Sequence, residues 1–430
     1  MNLSAMNLLV INIGKLYGAA ERKQALRGDA MKQAPYLENV FLAAVDGIVE
    51  FIGPMSECPT RDGFKHVIDA RGGIVTPAFC DSHTHIVWAG DRSGEFVDKI
   101  NGLTYEEIAA RGGGILNSAD LLAETSVDDL FNQAAARMMD MISHGTGAVE
   151  IKTGYGLTTD AELKMIEVIE RLRNAFPEVV IRSTFLGAHA VGRKFQGRQG
   201  EYVDYVINDM LPRMAAKADY IDVFCDRGFF TPEETDRILT AGKYYGLKPK
   251  IHANELANSG GLEVGIAHKA ISVDHLEQIG EPEMELLKHS DTIATMLPGA
   301  SFFSNLPYAP ARQAIDKGCA VALASDFNPG SSPSGSMEMI WSLGCLKMRL
   351  TPAEALNAIT VNGAAAMEVS DQMGSLAPGY RASMLVFRPG IKSLDMIPYL
   401  YTMRRMDYII LSGKVRCNVD SMEVLSTLFE

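Results

Sequence analysis

Cysteine is scarce in this sequence, and no two cysteines stand close together. The six cysteines among 430 residues occupy positions 58, 80, 225, 319, 345 and 417, and none belongs to a Cys-x-x-Cys pair. A disulfide framework needs clustered cysteines, so a small disulfide-stabilised scaffold is excluded. The pattern is typical of a cytoplasmic protein, because the cytoplasm keeps thiols reduced.

The sequence also lacks an excess of positive charge and any long apolar run. Its 40 Lys and Arg residues are outnumbered by 53 Asp and Glu residues, and the formal net charge is −13. An acidic balance of this kind argues against binding to nucleic acid. A membrane-spanning helix needs about 18 apolar residues in succession, and no window of the sequence provides them. We therefore expect no nucleic-acid partner and no membrane association.

Short β-rich runs alternate with helical patterns through the middle of the chain. Thr231 and Thr351 are each followed by Pro and, three residues after the threonine, by Glu, which predicts the start of a helix. The candidate strands span residues 73–85, 146–156, 179–190, 220–226, 248–255, 270–277, 291–297 and 319–328. Strands that alternate with helices in this number predict an α/β fold, a (β/α)8 barrel. A doubly wound open sheet is the competing layout.

Both ends of the chain have a different pattern. The N-terminal part carries apolar runs such as LLVINI and NVFLAAVDGIVEFIG, separated by Asp-Gly and Gly-Gly turns, and the C-terminal part repeats this style in MDYIILSGKVR. We expect residues 1–75 and 374–430 to pair into one small β domain and residues 76–373 to form the barrel.

Polar residues gather where the candidate barrel strands end. In a barrel these ends converge on one mouth, where the chemistry takes place. His83 and His85 share one face of the first strand because they are two residues apart. With His252 and Asp326, from two further strand ends, they would form a three-histidine, one-aspartate metal site with an open position for water. A His-x-His pair also arises by chance, and Asp326 could merely cap a turn. The prediction of a metal site therefore rests on the combination of the four residues.

Longer motifs around these residues are recognisable. They read HTHIVWAGDRSGEF, EIKTGYGLTTDAELKM, TFLGAHA, KIHANELANSGG, SVDHLE, PGASFFSN and ASDFNPGSSPSGSM, in this order along the chain. In these motifs the chain resembles the amidohydrolase superfamily of metal-dependent hydrolases and, within it, the imidazolonepropionases of histidine degradation. The resemblance implies a distorted (β/α)8 TIM barrel with a small β-sandwich domain built from both termini.

The resemblance also implies a reaction and the residues that perform it. The implied reaction is hydrolysis of the cyclic amide of 4-imidazolone-5-propanoate to N-formimidoyl-L-glutamate, by a homodimer with one Zn2+ or Fe3+ ion per subunit. The implied metal ligands are His83, His85, His252 and Asp326. The implied substrate-binding residues are Arg92, Tyr155, His189, Glu255, Asn328, Gly330 and Ser331. The implied catalytic residues are Glu255, His275 and Asp326.

Each implied catalytic role has a physical reason. A metal ion lowers the pKa of a water molecule enough to make hydroxide near neutral pH. Glu255 would accept the water's proton and pass it to the ring nitrogen that leaves. His275 would orient the nucleophile or stabilise the negative charge that develops. Asp326 is a second candidate for the proton transfers.

Several alternatives stay open at this point. Arg92 would grip the propanoate carboxylate with its planar guanidinium, but it could instead form a surface ion pair with Asp91 or Glu95. A half-buried histidine such as His189 is often only packed. A related aminohydrolase of a purine or pyrimidine ring would share the metal set, although it would not need a carboxylate clamp, and a barrel without activity would be expected to lose its ligands.

Three features of the sequence refine the prediction. Many superfamily members bridge two metals with a modified lysine at the end of the fourth strand, but that strand reads YIDVFCD, so one ion is expected. Ala78 and Ser82 stand where the family usually has Gly and Cys. Neither is a ligand, so we expect metal binding to be preserved.

Overall fold

Two eight-stranded sheets organise the chain. The computed structural model describes residues 6–103, 107, 113–403 and 405–418. In chain order the strands are β1 Met6–Tyr17, β2 Tyr36–Val45, β3 Ile48–Pro54, β4 His66–Asp69, β5 Ile74–Pro77, β6 Phe79–Thr84, β7 Thr146–Lys152, β8 Val180–Ala188, β9 Tyr220–Cys225, β10 Lys248–Ala253, β11 Ser272–His275, β12 Ile293–Met296, β13 Val321–Leu323, β14 Met384–Phe387, β15 Met406–Leu411 and β16 Lys414–Asn418.

The second sheet, β6 to β13, is a parallel barrel. Its strands are neighbours in chain order, so each one pairs with the next. The first and last strands meet as well, because the backbone N–H of His85 donates to the Phe327 carbonyl (2.9 Å) and that of Asp326 donates to the His83 carbonyl (3.0 Å). These bonds close the barrel, which confirms the predicted fold class and excludes the open sheet. Every residue of β6, β7 and β9 is buried, as expected of strands covered on both faces.

Helices surround the barrel and connect its strands. Among the described residues the α-helices are Ser93–Ile100, Ile115–Glu124, Val127–Ser143, Thr159–Ala175, Gln199–Tyr205, Leu211–Met214, Pro232–Tyr244, Gly261–Ala267, Glu281–Lys288, Pro298–Ser304, Ala311–Asp316, Met337–Leu346, Pro352–Ile359, Val361–Ala366 and Met396–Tyr399. The predicted capping boxes at Thr231 and Thr351 are both present, so each threonine satisfies backbone N–H groups at a helix start. None of these helices is long and apolar enough to cross a membrane.

The first sheet combines strands from both ends of the chain. Its order is β16-β15-β14-β5-β1-β2-β3, with β4 beside β1, and it mixes parallel and antiparallel pairs. This arrangement confirms the small β unit that was expected from the two termini. The described part of this unit begins at residue 6 and ends at residue 418, and the domain limits at residues 75 and 374 stay a prediction.

The predicted strand at 73–85 is in fact two strands in different sheets. The backbone N–H of Ala78 donates to the Ser383 carbonyl in the terminal sheet (2.9 Å), whereas that of the next residue, Phe79, donates to Gly145 beside the barrel (2.9 Å). The chain therefore changes sheets at Ala78. An apolar run alone could not reveal this change, because both segments are fully buried.

Candidate metal centre and active site

Three imidazole nitrogens and one carboxylate oxygen converge at the mouth of the barrel. Nε2 of His85 lies 3.3 Å from Nε2 of His83 and 3.5 Å from Nε2 of His252. Oδ1 of Asp326 lies 3.5 Å from the His83 nitrogen and 3.6 Å from the His85 nitrogen. All four side chains are buried. The structure therefore brings together the four residues expected to bind a metal.

The distances among His83, His85 and Asp326, and the distance from His85 to His252, are those expected between ligands of one transition-metal ion. Ligand atoms at the corners of a tetrahedron with bonds of about 2.0–2.2 Å lie about 3.3–3.6 Å apart. Burial, followed by nearby positive charge, holds the pKa values of His83, His85 and His252 well below their usual range. Neutral imidazole is the form that coordinates metals.

Strand geometry explains why these residues meet. His83 lies near the end of β6 and His85 follows that strand, while His252 lies near the end of β10. Asp326 follows β13, and its backbone has a positive φ of 52°.

Two buried aspartates fix the orientation of two of these histidines. Nδ1 of His83 donates to Oδ2 of Asp274 (2.7 Å), and Nδ1 of His252 donates to Oδ2 of Asp222 (3.0 Å). Each bond leaves Nε2 free and directed at the centre, as in the carboxylate–histidine–metal arrangement of many metal sites. The sequence prediction assigned no role to either aspartate.

The two aspartates belong to a buried charge cluster, which consists of Glu150, Lys152, Asp222, Lys250 and Asp274. All of them are at most 1% exposed. Burial alone would lower the pKa of the Lys152 ammonium, but the surrounding carboxylates, Asp222 foremost, raise it well above its usual value. Lys152 is therefore a cation at neutral pH.

Glu255 and His275 form an acid–base pair beside the metal group. Oε2 of Glu255 lies 3.7 Å from Nδ1 of His275, and Oε2 of the buried Glu277 lies 3.6 Å from the same nitrogen. Burial raises the pKa of Glu255 to about 7, although the positive charge of His275 opposes this shift. Burial would lower the pKa of His275, but Glu255 and Glu277 raise it to about 10.

A single carboxylate holds the backbone that carries Glu255. Asp226 accepts hydrogen bonds from the backbone N–H groups of Glu255 (2.8 Å), Leu256 (2.9 Å) and Ala257 (3.1 Å). It also accepts from the Ser259 hydroxyl (2.8 Å). The position of Glu255 is thus fixed through its main chain.

Tyr155 and His189 form a ring-lined wall next to His85. The His189 ring stacks on His85 at 5.2 Å, and the Tyr155 ring meets both edge-on, at 5.8 Å from His85 and 5.4 Å from His189. The Tyr155 loop is held by buried Glu162, which accepts from the backbone N–H groups of Gly156 (2.8 Å) and Leu157 (3.0 Å).

Asn328, Gly330 and Ser331 belong to one tight loop that follows Asp326. Oδ1 of Asn328 accepts from the backbone N–H groups of Gly330 (2.8 Å) and Ser331 (2.9 Å). Its amide group donates to the Asp326 carbonyl (2.7 Å). The Asn328 side chain therefore shapes this loop, and the Ser331 hydroxyl lies 3.4 Å from the Asp326 carboxylate.

Arg92 lies against this loop and pairs with Glu95. Its Nη2 donates to Oε2 of Glu95 (2.5 Å), so one of the two ion pairs considered from the sequence is present, but both side chains are only 12% exposed. A Cβ atom added to Gly330 would lie 2.4 Å from Nη1 of Arg92. Glycine at position 330 thus gives the guanidinium its place beside the loop.

The sequence prediction missed the residues that hold the site from outside. Asp222, Asp274, Asp226, Glu162 and Glu277 are buried carboxylates that bond to, or lie next to, the residues predicted for the site. The only signal for them was the presence of charge within or at the edge of apolar strand runs such as YIDVFCD.

Comparisons with known proteins find similarity along nearly the whole chain. The profile of the amidohydrolase family matches residues 74–416. The imidazolonepropionase of Christiangramia forsetii is 46% identical over 415 residues, which cover 95% of this chain and all of the relative. The imidazolonepropionase of Phocaeicola vulgatus is 38% identical over 413 residues, with 95% and 98% of the two chains covered.

Solved structures share the fold at much lower identity. Triazine hydrolase from Arthobacter aurescens has a TM-score of 0.74 at 16% identity, over 98% of this chain and 97% of that chain. An adenosine deaminase from Xanthomonas campestris with bound zinc has a TM-score of 0.68 at 14% identity, over 98% and 95% of the two chains.

Proposed function

The chain belongs to the amidohydrolase family, and from this membership we propose that it hydrolyses 4-imidazolone-5-propanoate to N-formimidoyl-L-glutamate. The full-length similarity to imidazolonepropionases supports this substrate. The chain is a hydrolase of the C–N bond of a cyclic amide. The structural observation that carries the proposal is the position of the Glu255 carboxylate next to a group of three histidines and one aspartate.

One Zn2+ or Fe3+ ion would be held by His83, His85, His252 and Asp326. The distances of 3.3–3.6 Å among His83, His85 and Asp326 and between His85 and His252 support this assignment. When bound, such an ion supplies a Lewis acid that activates water and polarises the ring carbonyl. A single ion is favoured because the fourth barrel strand, β9, has no lysine, and the buried Lys152 is engaged with three carboxylates.

Glu255 would move the proton that the reaction needs. It accepts a proton from water as the water oxygen bonds to the carbonyl carbon, and it returns that proton to the ring nitrogen as the C–N bond breaks. The raised pKa of Glu255, about 7, suits a group that accepts and then donates near neutral pH. His275 and Asp326 are the proposed partners, since His275 can donate to the developing negative charge.

The substrate would lie between the rings of Tyr155 and His189 and the loop after Asp326. Arg92 is the proposed anchor of the propanoate carboxylate, for which it would exchange or share its bond to Glu95. Ser331 and the backbone of Gly330 lie near that end. Tyr155 and His189 would contact the ring. Glu255 and Asn328 complete the proposed substrate-binding set, Asn328 mainly by shaping its loop.

The proposed assembly is a homodimer in the cytoplasm, as the family resemblance and the scattered cysteines suggested. Sedimentation equilibrium of the metal-loaded protein tests the first part. A mass near 94 kDa is expected, twice the 46.8 kDa of one chain, and a concentration-independent monomer would contradict it.

Hydrolysis of freshly generated 4-imidazolone-5-propanoate by the purified protein tests the function. We expect formation of N-formimidoyl-L-glutamate that is lost after chelation and restored by Zn2+ or Fe3+. Aminopurines and aminopyrimidines serve as control substrates for the competing aminohydrolase. Release of ammonia from one of these, without turnover of the imidazolone, would overturn the proposal.

A further inference from the structure

The buried charge cluster contains two lysines with different surroundings. Lys152, at the end of β7, donates to Oε1 of Glu150 (2.7 Å) and to Oδ2 of Asp222 (2.8 Å), and its Nζ lies 3.3 Å from Oδ2 of Asp274. Lys250, on β10, pairs with the other oxygen of Glu150. Both lysines are fully buried.

Lys152 contacts the same two oxygens that hold the histidines. Oδ2 of Asp222 accepts from Nδ1 of His252 as well as from Lys152. Oδ2 of Asp274 accepts from Nδ1 of His83 and also lies 3.3 Å from Nζ of Lys152. One ammonium group thus joins the carboxylates that orient two imidazoles on different strands.

The other bonds of the two aspartates add to this constraint. Oδ1 of Asp222 accepts from the backbone N–H of His252 (3.0 Å), and Oδ1 of Asp274 accepts from the Ser272 hydroxyl (2.5 Å). Rotation of either carboxylate would therefore break a bond on its far side as well as its contact with Lys152. These bonds therefore restrict rotation of the two carboxylates that hold His252 and His83.

We propose that Lys152 is a positioning residue of the metal centre, which joins Asp222 and Asp274 so that His252 and His83 present Nε2 to one ion. The inference rests on the proposed function only in taking these histidines as metal ligands. Partners outside the ligand sphere typically change metal affinity by about 10- to 100-fold. Lys152 bonds to the two carboxylates and to Glu150, and, in addition to burial, its charge helps to keep the pKa values of His83 and His252 low.

Replacement of Lys152 by methionine, with Lys250→Met as the matched control, tests this role. Both variants remove a fully buried ammonium group from the same cluster, but only Lys152 contacts the carboxylates that hold histidines. We expect Lys152→Met to bind Co2+ and Zn2+ about 10- to 100-fold more weakly in competition with a chelator, and to alter the visible absorption of bound Co2+. Lys250→Met should keep the wild-type spectrum and an affinity within about threefold.

A second pair of variants applies if Lys152→Met does not fold. Ser272→Ala removes the hydroxyl that holds Asp274, and Thr184→Val removes the hydroxyl that donates to Glu150 (2.6 Å). Both hydroxyls are fully buried in the same cluster. The inference predicts weaker metal binding for Ser272→Ala alone.

The possible results separate the inference from the proposed function. Equal affinities in the two members of each pair, with wild-type protein that binds one ion, would overturn the positioning role and leave the function intact. Wild-type protein that binds no ion at His83 and His252 would overturn both. Weaker binding confined to Lys152→Met or Ser272→Ala supports the inference whatever the substrate proves to be.

Discussion

At the scale of single residues, the site depends on buried charges that are placed next to partners of opposite sign. Glu255 lies beside His275, and Lys152 lies beside Asp222 and Glu150. An acid or base in such surroundings can have a pKa far from its solution value, which is how one site can perform both proton acceptance and proton donation at neutral pH.

Replacement of Glu255 by glutamine should remove turnover while the metal remains. The amide keeps the shape of the side chain but cannot accept and return a proton, so kcat should fall by about 10²- to 10⁴-fold. Metal content after purification is the control, because Glu255 is outside the ligand set. Full activity of Glu255→Gln would exclude Glu255 as the group that transfers the proton.

The pH dependence of the wild-type enzyme should report the same group. A base must be ionised to accept a proton, and burial raises the pKa of Glu255 to about 7. The value of kcat/KM should therefore fall as the pH drops below about 7, up to tenfold per unit, and the residual activity of Glu255→Gln should lack this acidic limb. A wild-type rate that stays flat to pH 5 would speak against Glu255 as the base.

Arg92→Ala should weaken substrate binding more than it slows the chemistry. The guanidinium lies beside Gly330 and is half-buried, where a charge-assisted bond to the propanoate is worth about 1.5–3 kcal/mol. We expect KM to rise by about 10- to 100-fold with kcat changed far less. Glu95→Gln is the control, because it keeps Arg92 while it removes the charge that competes with the substrate. An unchanged KM in Arg92→Ala would rule out the anchor.

The convergence of the candidate metal ligands could be foreseen from the sequence, whereas the residues that support them could not. His83, His252 and Asp326 are polar groups at the ends of apolar runs, and barrel geometry brings such ends together. Asp222 reaches His252 only because β9 and β10 are neighbours in a particular register. Register depends on the whole sheet, so the pairing is invisible in the local sequence.

At the scale of elements, two loops at the barrel mouth are each tied to one buried carboxylate. Asp226 binds three successive N–H groups of the loop that carries Glu255. Glu162 binds N–H groups of Gly154, Gly156 and Leu157 in the loop that carries Tyr155. Concentrated acceptors of this kind fix irregular backbone that has no strand or helix partners.

Loosening one or the other loop should change different kinetic constants. Asp226→Asn should lower kcat by about tenfold or more, since a small displacement of a catalytic group is costly. Glu162→Gln should act mainly on KM, since its loop carries a proposed substrate contact. Steady-state kinetics and metal content of both variants provide the check. If Asp226→Asn and Glu162→Gln changed kcat and KM in the same way, the two carboxylates would contribute only to stability.

The elements themselves were largely predictable, with one instructive exception. All eight barrel strands lie within the predicted segments, because each combines an apolar run with a polar end. The run at 73–85 hid a transfer between sheets at Ala78, since apolarity indicates burial but does not say in which sheet. The chain's own pairing partners, Ser383 and Gly145, decide that question.

At the scale of the whole molecule, the candidate ligands connect the two strands that close the barrel with a third strand. His83 lies on the first barrel strand, Asp326 follows the last one, and His252 lies on the fifth. An ion held by all of them links segments that are far apart in sequence. Binding to the folded chain alone stabilises it by mass action.

Removal of the metal should therefore lower the melting temperature. At a free metal concentration a thousandfold above Kd the stabilisation is about 4 kcal/mol, which for a chain of 430 residues corresponds to a shift of roughly 5 °C. Differential scanning calorimetry of the chelated and reloaded protein measures it. In His252→Ala the shift should shrink to a small fraction, and an undiminished shift in that variant would place the stabilising ion elsewhere.

The position of the ion tests the central claim of a single four-ligand centre most directly. Anomalous difference maps from crystals of zinc-loaded protein should show one peak per chain, nearest to Nε2 of His83, His85 and His252 and to the carboxylate of Asp326. A second set of close ligand atoms exists, formed by His83, His252 and His275. A peak among those three histidines without Asp326, or two peaks in one barrel, would contradict the account.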